Sequence, residues 1–168
     1  LLNAGDMFQG TLYFNVYEGM AEVAYMNAVG YQAMALGNHE FDNGPAKLAK
    51  FIDLTTFPVL SANLDFDAEP ALKGKVSPSA VLTVGGEKVG IVGATTPEVT
   101  NISSPGPNVK LKDLVTSVQS AVDRLTSHGV NKVILVTHIG YAEDKALVGK
   151  LHDVDVLVGG HSHTPLGT

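Results

Sequence analysis

Short apolar runs of strand length alternate along this chain with amphipathic stretches of helix length. The first run is Leu1–Ala4; the segment Glu18–Ala28 follows it, with apolar residues at helical spacing and Gly30 as a stop signal. The alternation continues with predicted strands at residues 31–36, 57–62, 132–137 and 154–158, and predicted helices at residues 46–53, 111–127 and 143–151. Strands that alternate with helices are typical of a sheet covered by helices, so the pattern predicts an α/β layered fold.

The middle of the chain follows a different pattern. Two β-rich runs, Val81–Val84 and Lys88–Val92, flank Gly85-Gly86, which predicts an antiparallel hairpin and therefore a mixed sheet. Residues 101–108 contain two prolines and a glycine and are predicted to form a loop. No repeat or linker divides residues 1–168, so we expect one domain. Because the chain opens on Leu1 inside a predicted strand, we expect it to be part of a longer protein.

Charge and composition exclude several classes of function. The 168 residues include 11 basic and 17 acidic side chains, a net charge of −6, and the basic residues form no cluster. This argues against a nucleic-acid partner. The longest apolar runs have strand length, so we expect no transmembrane segment in this chain. There is no cysteine, so any metal must be held by His, Asp, Glu or Asn.

Polar residues with metal-binding or catalytic chemistry follow four of the predicted strands. They are Asp6, the pair Asn38-His39, His138, and the pair His161 and His163. Ligands of open α/β sheets bind where the carboxyl ends of the strands meet. We therefore expect these side chains to converge on one edge of the sheet.

The donor types favour a metal centre. A carboxylate, an amide oxygen and imidazoles without sulfur point to zinc, manganese or iron rather than calcium. If residues 161–163 are extended, His161 and His163 project to the same side, and one could face each of two cations. Two cations about 3.5–4 Å apart bind phosphoryl oxygens and acidify a bridging water.

His39 and Asp42 predict a separate unit. His39 directly follows Asn38, so the two side chains are not expected to reach the same ion. Asp42, three positions further on, can reach back to the imidazole, fix the ring and raise its pKa. The resulting imidazolium would stabilise charge that develops on a phosphoryl group.

Four ordered motifs resemble those of the calcineurin-like metallophosphoesterases. They are Gly5-Asp6-Met7-Phe8-Gln9-Gly10, Gly37-Asn38-His39-Glu40-Phe41-Asp42, Thr137-His138-Ile139-Gly140 and Gly160-His161-Ser162-His163-Thr164. The 5'-nucleotidase branch, which also includes apyrases and UDP-sugar hydrolases, is the most similar. The resemblance implies a layered αββα sandwich with mixed β-sheets. It also implies two divalent metal ions, zinc or manganese.

The resemblance also implies roles for individual residues. Asp6 would bridge the metals, while Asn38, His138 and His161 complete one site and His163 serves the other. His39, paired with Asp42, would act on the phosphate. The Asp-x-His motif that the family carries on an earlier strand, and its second, nucleoside-binding domain, are not found in residues 1–168. We therefore expect an incomplete catalytic domain that holds one metal ion tightly.

The implied activity is release of phosphate from nucleoside 5'-monophosphates by attack of metal-bound hydroxide. Cleavage of a pyrophosphate bond in a UDP-sugar, NAD, ATP or ADP stays open, as does a metal-binding fragment without turnover. Members of this branch are mostly exported, so we expect a periplasmic, cell-surface or secreted location.

Two histidines are assigned structural roles instead. His128 and His152 lie at the ends of predicted helices, where a cation suits the helix dipole. No Gly-x-Gly-x-x-Gly follows a predicted strand, which argues against a dinucleotide oxidoreductase.

Overall fold

Two four-stranded sheets form the centre of the structure, a computed structural model that describes residues 1–10 and 12–166. The strands are β1 (Leu2–Asn3), β2 (Ala33–Ala35), β3 (Val59–Leu60), β4 (Leu64–Asp65), β5 (Val76–Ser77), β6 (Ser79–Val84), β7 (Glu87–Thr95), β8 (Lys110–Leu111), β9 (Val133–His138) and β10 (Val156–Gly159). The helices are α1 (Leu12–Tyr17), α2 (Met20–Val29), α3 (Pro45–Ile52), α4 (Val99–Ile102), α5 (Leu114–Ser127) and α6 (Tyr141–Val148), with a 3₁₀ turn at His39–Phe41.

The two sheets differ in strand direction. The first has the order β1-β2-β3-β5 and is parallel throughout. The second has the order β10-β9-β7-β6. There β6 and β7 form the expected hairpin around Gly85-Gly86, and β7, β9 and β10 are parallel. The expected mixed character therefore belongs to the second sheet only.

Side chains alternate along each central strand between two apolar layers. In β2, Ala33 and Ala35 face the second sheet, whereas Met34 packs with the helices α2 and α3. In β9, Val136 joins the layer between the sheets, and Leu135 packs with α5 and α6. The order of layers is therefore helix, sheet, sheet, helix, which confirms the expected αββα sandwich.

Several element boundaries differ from those expected, and local chemistry explains each difference. The helix predicted at residues 18–28 is preceded by the unexpected α1, and Gly19, in the left-handed region at φ 93°, separates the two helices. The helix predicted from residue 111 begins at Leu114 because the Asp113 carboxylate accepts the N–H of Thr116 at 2.9 Å, capping the helix there. Leu111 lies instead in β8, which pairs with β4.

Three further expectations need correction. The predicted loop at residues 101–108 begins only after α4, which includes the first two of those residues. The helix predicted at residues 143–151 spans Tyr141–Val148. His152 therefore lies beyond its end, where its N–H donates to Gln119 Oε1 at 3.0 Å. His128 does cap α5, with its Nδ1 2.7 Å from the carbonyl oxygen of Arg124.

No helix in residues 1–10 and 12–166 has both the length and the apolar character needed to cross a membrane.

Candidate active site

Glycines at positions 5 and 37 allow the loop after β1 and the loop after β2 to approach each other closely. A Cβ on Gly5 would lie 2.7 Å from His138 Nδ1, and a Cβ on Gly37 would lie 2.2 Å from Asp6 Oδ1. Only glycine permits so close an approach of these two loops. Asp6 itself has a left-handed φ of 58°, an uncommon conformation for a residue with a Cβ. Backbone strain of this kind is found mainly at functional sites.

Asp6, His138 and His161 meet at the edge shared by the two sheets. One donor atom from each side chain lies within 4.8 Å of the other two. His138 Nε2 is 3.0 Å from Asp6 Oδ2 and 3.3 Å from His161 Nδ1. The three residues follow β1, end β9 and follow β10, respectively.

The surroundings of His138 prepare it to bind a metal through Nε2. Its ring is 2 % exposed, and its Nδ1 lies 2.6 Å from the carbonyl oxygen of Ala4. A proton on Nδ1 is thus held by that carbonyl, so Nε2, which faces Asp6 and His161, is the nitrogen that a metal ion would take once the Nε2 proton is displaced. A backbone partner on the second nitrogen is the usual arrangement of a metal-ligating histidine.

Asn38 provides a further observation that fits a cation. Its side chain is buried, at 3 % exposure, yet its Oδ1 has no hydrogen-bond partner among the described residues. A buried amide oxygen without a partner carries a substantial free-energy cost. Both neighbours of Asn38 contact Asp6: Gly37 packs against Oδ1, and the N–H of His39 donates to the same oxygen at 3.0 Å. The carboxylate, amide and imidazole donors therefore suit a divalent metal ion.

The charges of the site are coupled. Burial raises the pKa of Asp6, but hydrogen bonds from His138 and from the N–H of His39 hold it below its ordinary value. Burial lowers the pKa of His138, but the hydrogen bond to the Asp6 carboxylate and the charge of that carboxylate raise it by more than burial lowers it. The net shift of the His138 pKa is therefore upward. Burial and the nearby His138 lower the pKa of His161, which favours its neutral, metal-binding form.

His39 and Asp42 make the contact expected from the sequence. His39 Nδ1 lies 2.6 Å from Asp42 Oδ2, and the imidazole is 45 % exposed. The hydrogen bond to Asp42 is the main cause of a raised His39 pKa. No hydrogen bond within the described residues engages the His39 Nε2, so this atom is free to meet a ligand.

His163 lies outside the Asp6–His138–His161 cluster. It is exposed and lines a cavity of about 340 Å³ with His161 and Ser162. The expectation that residues 161–163 are extended is wrong, because φ is 80° at His161 and 50° at His163. Period-two alternation therefore does not apply to this segment.

Two residues of the site were not assigned roles from the sequence. Glu40 is fully buried, and its carboxylate accepts the N–H groups of Asp6, Met7, Phe8 and Gly37 at 2.6–3.2 Å. It thereby joins the loop after β1 to the loop after β2. Ser103 donates its hydroxyl to Asp42 Oδ1 at 2.6 Å. The only sequence signal for Glu40 is its position inside the Gly37–Asp42 motif, and for Ser103 there is none.

Comparison with known proteins agrees with this geometry. The profile of the family described as calcineurin-like phosphoesterase matches residues 1–165. The chain belongs to the calcineurin-like phosphoesterase family. Members of this family bind divalent metal ions, in agreement with the donor cluster described above.

The relatives of this calcineurin-like phosphoesterase chain include 5'-nucleotidases. It is 51 % identical to a 5'-nucleotidase of Diplobatis ommata over 171 residues, and 48 % identical to that of Bos taurus. Each match covers 100 % of this chain but 30 % of the relative, so the chain spans about a third of the length of these proteins and matches their N-terminal part.

Solved structures share the fold. The 5'-nucleotidase precursor from Thermus thermophilus superposes with a TM-score of 0.97 at 54 % identity, covering 99 % of this chain and 33 % of that one. Haemophilus influenzae NAD nucleotidase superposes with a TM-score of 0.92 at 41 % identity, covering 100 % of this chain and 34 % of that one.

Proposed function

We propose that this protein is a metal-dependent phosphohydrolase that releases phosphate from nucleoside 5'-monophosphates. The observation that carries the proposal is the convergence of Asp6, His138 and His161, together with the unpartnered oxygen of buried Asn38 and the imidazole of His39 that Asp42 holds. The similarity to 5'-nucleotidases of Diplobatis ommata and Bos taurus supports the choice of substrate.

Asp6, Asn38, His138 and His161 would hold one divalent ion. Their oxygen and nitrogen donors suit zinc or manganese. His163, together with Asp6, would contribute to holding a second ion. When bound, such ions offset the negative charge of a phosphoryl group and lower the pKa of water. We further propose that residues 1–168 belong to a metallophosphoesterase catalytic domain, of which they form a part.

His39 would act on the phosphate rather than on a metal. Its Nδ1 proton is held by Asp42 Oδ2 at 2.6 Å, which fixes the ring and favours the imidazolium. The Nε2–H can then donate a hydrogen bond to a phosphoryl oxygen as negative charge builds up there. A donor aimed at developing charge stabilises the transition state more than the ground state.

A second substrate class has an observation in its favour. The Haemophilus influenzae structure that shares this fold is an NAD nucleotidase, so cleavage of a pyrophosphate bond is the alternative within the same class. NAD, ATP, ADP and a UDP-sugar are the corresponding substrates. A metal-binding chain without turnover is the alternative outside that class.

We also infer that the protein is exported. A relative named snake venom 5'-nucleotidase, from Gloydius brevicauda, is 46 % identical over 171 residues and supports this inference. Fractionation of the source cells, with detection of the protein in each fraction, tests it; retention in the cytoplasm contradicts it.

The test of function measures phosphate release from AMP after chelation and after return of zinc or manganese. We expect activity to depend on the added metal and to be lost in His138→Ala and His161→Ala together with the bound metal. His152→Ala is the matched control, because its ring is 65 % exposed and belongs to none of the clusters above. Parallel assays with NAD and UDP-glucose separate the substrate classes. Metal binding without hydrolysis of any of these substrates contradicts the proposal.

A further inference from the structure

The carboxylate of Asp42 receives two hydrogen bonds, one on each oxygen. Asp42 Oδ2 accepts from His39 Nδ1 at 2.6 Å, and Asp42 Oδ1 accepts from Ser103 Oγ at 2.6 Å. Ser103 lies 61 positions further along the chain. The three side chains therefore form a continuous chain of contacts from the serine hydroxyl to the imidazole.

The backbone of Ser103 is fixed by its surroundings. Ser103 is the residue that ends α4, and its N–H donates to the carbonyl oxygen of Val99 at 3.1 Å. The Val99 side chain is fully buried in the core on the helix-covered face of the first sheet. Three residues later, Gly106 approaches Pro45 at the start of α3. This segment is thus anchored in the core at Val99 and approaches the start of α3 at Gly106.

The second hydrogen bond controls the orientation of the carboxylate. The terminal torsion of an aspartate is broad, so a single partner leaves the plane of the group poorly defined. A second short bond, from a hydroxyl to an ionised oxygen, is stronger than a neutral one and selects one rotation of that plane. Because Asp42 in turn holds His39 Nδ1, fixing the carboxylate also fixes the direction of His39 Nε2.

We propose that Ser103 is a positioning residue that orients the Asp42–His39 pair for the reaction. This inference rests on the proposed function, in which His39 acts on the phosphoryl group. Ser103 does not touch substrate; it acts through Asp42. Its loss leaves the metal donors Asp6, His138 and His161 unchanged.

The test compares Ser103→Ala with Ser103→Thr, which keeps the hydroxyl, and with Ser104→Ala, the neighbouring exposed serine of the same segment. We expect Ser103→Ala to lower kcat for AMP about three- to tenfold, the effect of one lost hydrogen bond, without changing KM or metal content. Ser103→Thr should recover most of the activity, and Ser104→Ala should behave as the parent.

A double-mutant cycle distinguishes positioning from a purely structural role. In an Asp42→Asn background the Ser103→Ala change should have little further effect on kcat, because both act on the same unit. The proposal is overturned if Ser103→Ala lowers kcat by the same factor in the Asp42→Asn background as in the parent. It is also overturned if Ser103→Ala changes only KM or only the metal content.

A spectroscopic measurement tests the chain of contacts without turnover. The proton on His39 Nδ1 should give a downfield NMR signal that shifts in Ser103→Ala and is retained in Ser104→Ala. An unshifted signal in Ser103→Ala overturns the proposal even if AMP is hydrolysed. A shifted signal in a protein that hydrolyses no phosphate ester supports the positioning and contradicts the proposed function instead.

Discussion

Replacement of Glu40 by glutamine should destabilise the protein, because the Glu40 carboxylate joins the loop that carries Asp6 to the loop that carries Asn38. The Glu40 Oε2 accepts the N–H groups of Asp6 and Gly37 at 2.9 and 2.7 Å, and Oε1 accepts those of Met7 and Phe8 at 2.6 and 3.2 Å. In Glu40→Gln one of these oxygens becomes an NH₂ group. Whichever way the amide is oriented, two backbone N–H groups then face a donor instead of an acceptor.

The size of the effect follows from these contacts. Each buried N–H without an acceptor costs about 1–3 kcal/mol, so two such groups lower the free energy of unfolding by about 2–6 kcal/mol. Burial raises the pKa of Glu40, which means that the carboxylate is itself costly to bury. A neutral amide recovers part of that cost, and we therefore expect a net loss of about 2–4 kcal/mol.

The assay is urea unfolding of the metal-free protein at neutral pH, followed by circular dichroism. The control is Glu87→Gln, because the Glu87 carboxylate is 67 % exposed and pairs with Lys132 at the surface. Loss of that pair should change the free energy of unfolding by no more than about 1 kcal/mol. If Glu40→Gln is as stable as the control variant, the reasoning about the two loops is wrong.

Two further outcomes are expected. Gly37→Ala should weaken metal binding, because the added Cβ would lie 2.2 Å from Asp6 Oδ1. Gly149→Ala is the control and should bind metal normally, because there is open space at that position. Calorimetric titration with manganese compares the two variants, and equal affinities contradict the packing argument. In the metal-free protein, NMR titration should give His39 a pKa above 6.5 that falls in Asp42→Asn. Since the folded-state pKa is raised, the stability from this pair is fully present below pH 6.5 and is lost as pH rises through the folded-state pKa. Unfolding measurements should therefore show a larger Asp42→Asn defect at about pH 5.5 than at about pH 9, and a defect independent of pH contradicts the pairing.

Local patterns were sufficient for the parts of the site whose positions follow from a single turn or from the end of a predicted strand. The three-residue spacing of His39 and Asp42 predicted their contact because a turn brings such positions together. The polar residues at the carboxyl ends of β1, β9 and β10 predicted the donor cluster because these ends meet at one edge.

Long-range partners and unusual backbone could not be predicted in this way. The backbone partners of Glu40 in the loop after β1 are 32–34 positions away, and Ser103 is 61 positions from Asp42, so no local pattern links them. The helix α1 escaped prediction because it buries little more than Phe14 and leaves Leu12 and Tyr13 exposed, so it lacks the apolar stripe of a core-facing helix. The left-handed backbone at His161 and His163 has no glycine to signal it.

The most direct test of the account measures bound metal and AMP turnover together in His39→Ala and His138→Ala. We expect His39→Ala to retain the parent's metal content after dialysis while kcat falls about 10²–10³-fold, as for a lost donor to developing charge. We expect His138→Ala to lose the metal held by Asp6, Asn38 and His161, and with it the activity. Loss of metal in His39→Ala, or full metal content with parent turnover in His138→Ala, contradicts the division of the site into a metal cluster and a separate phosphate-binding histidine.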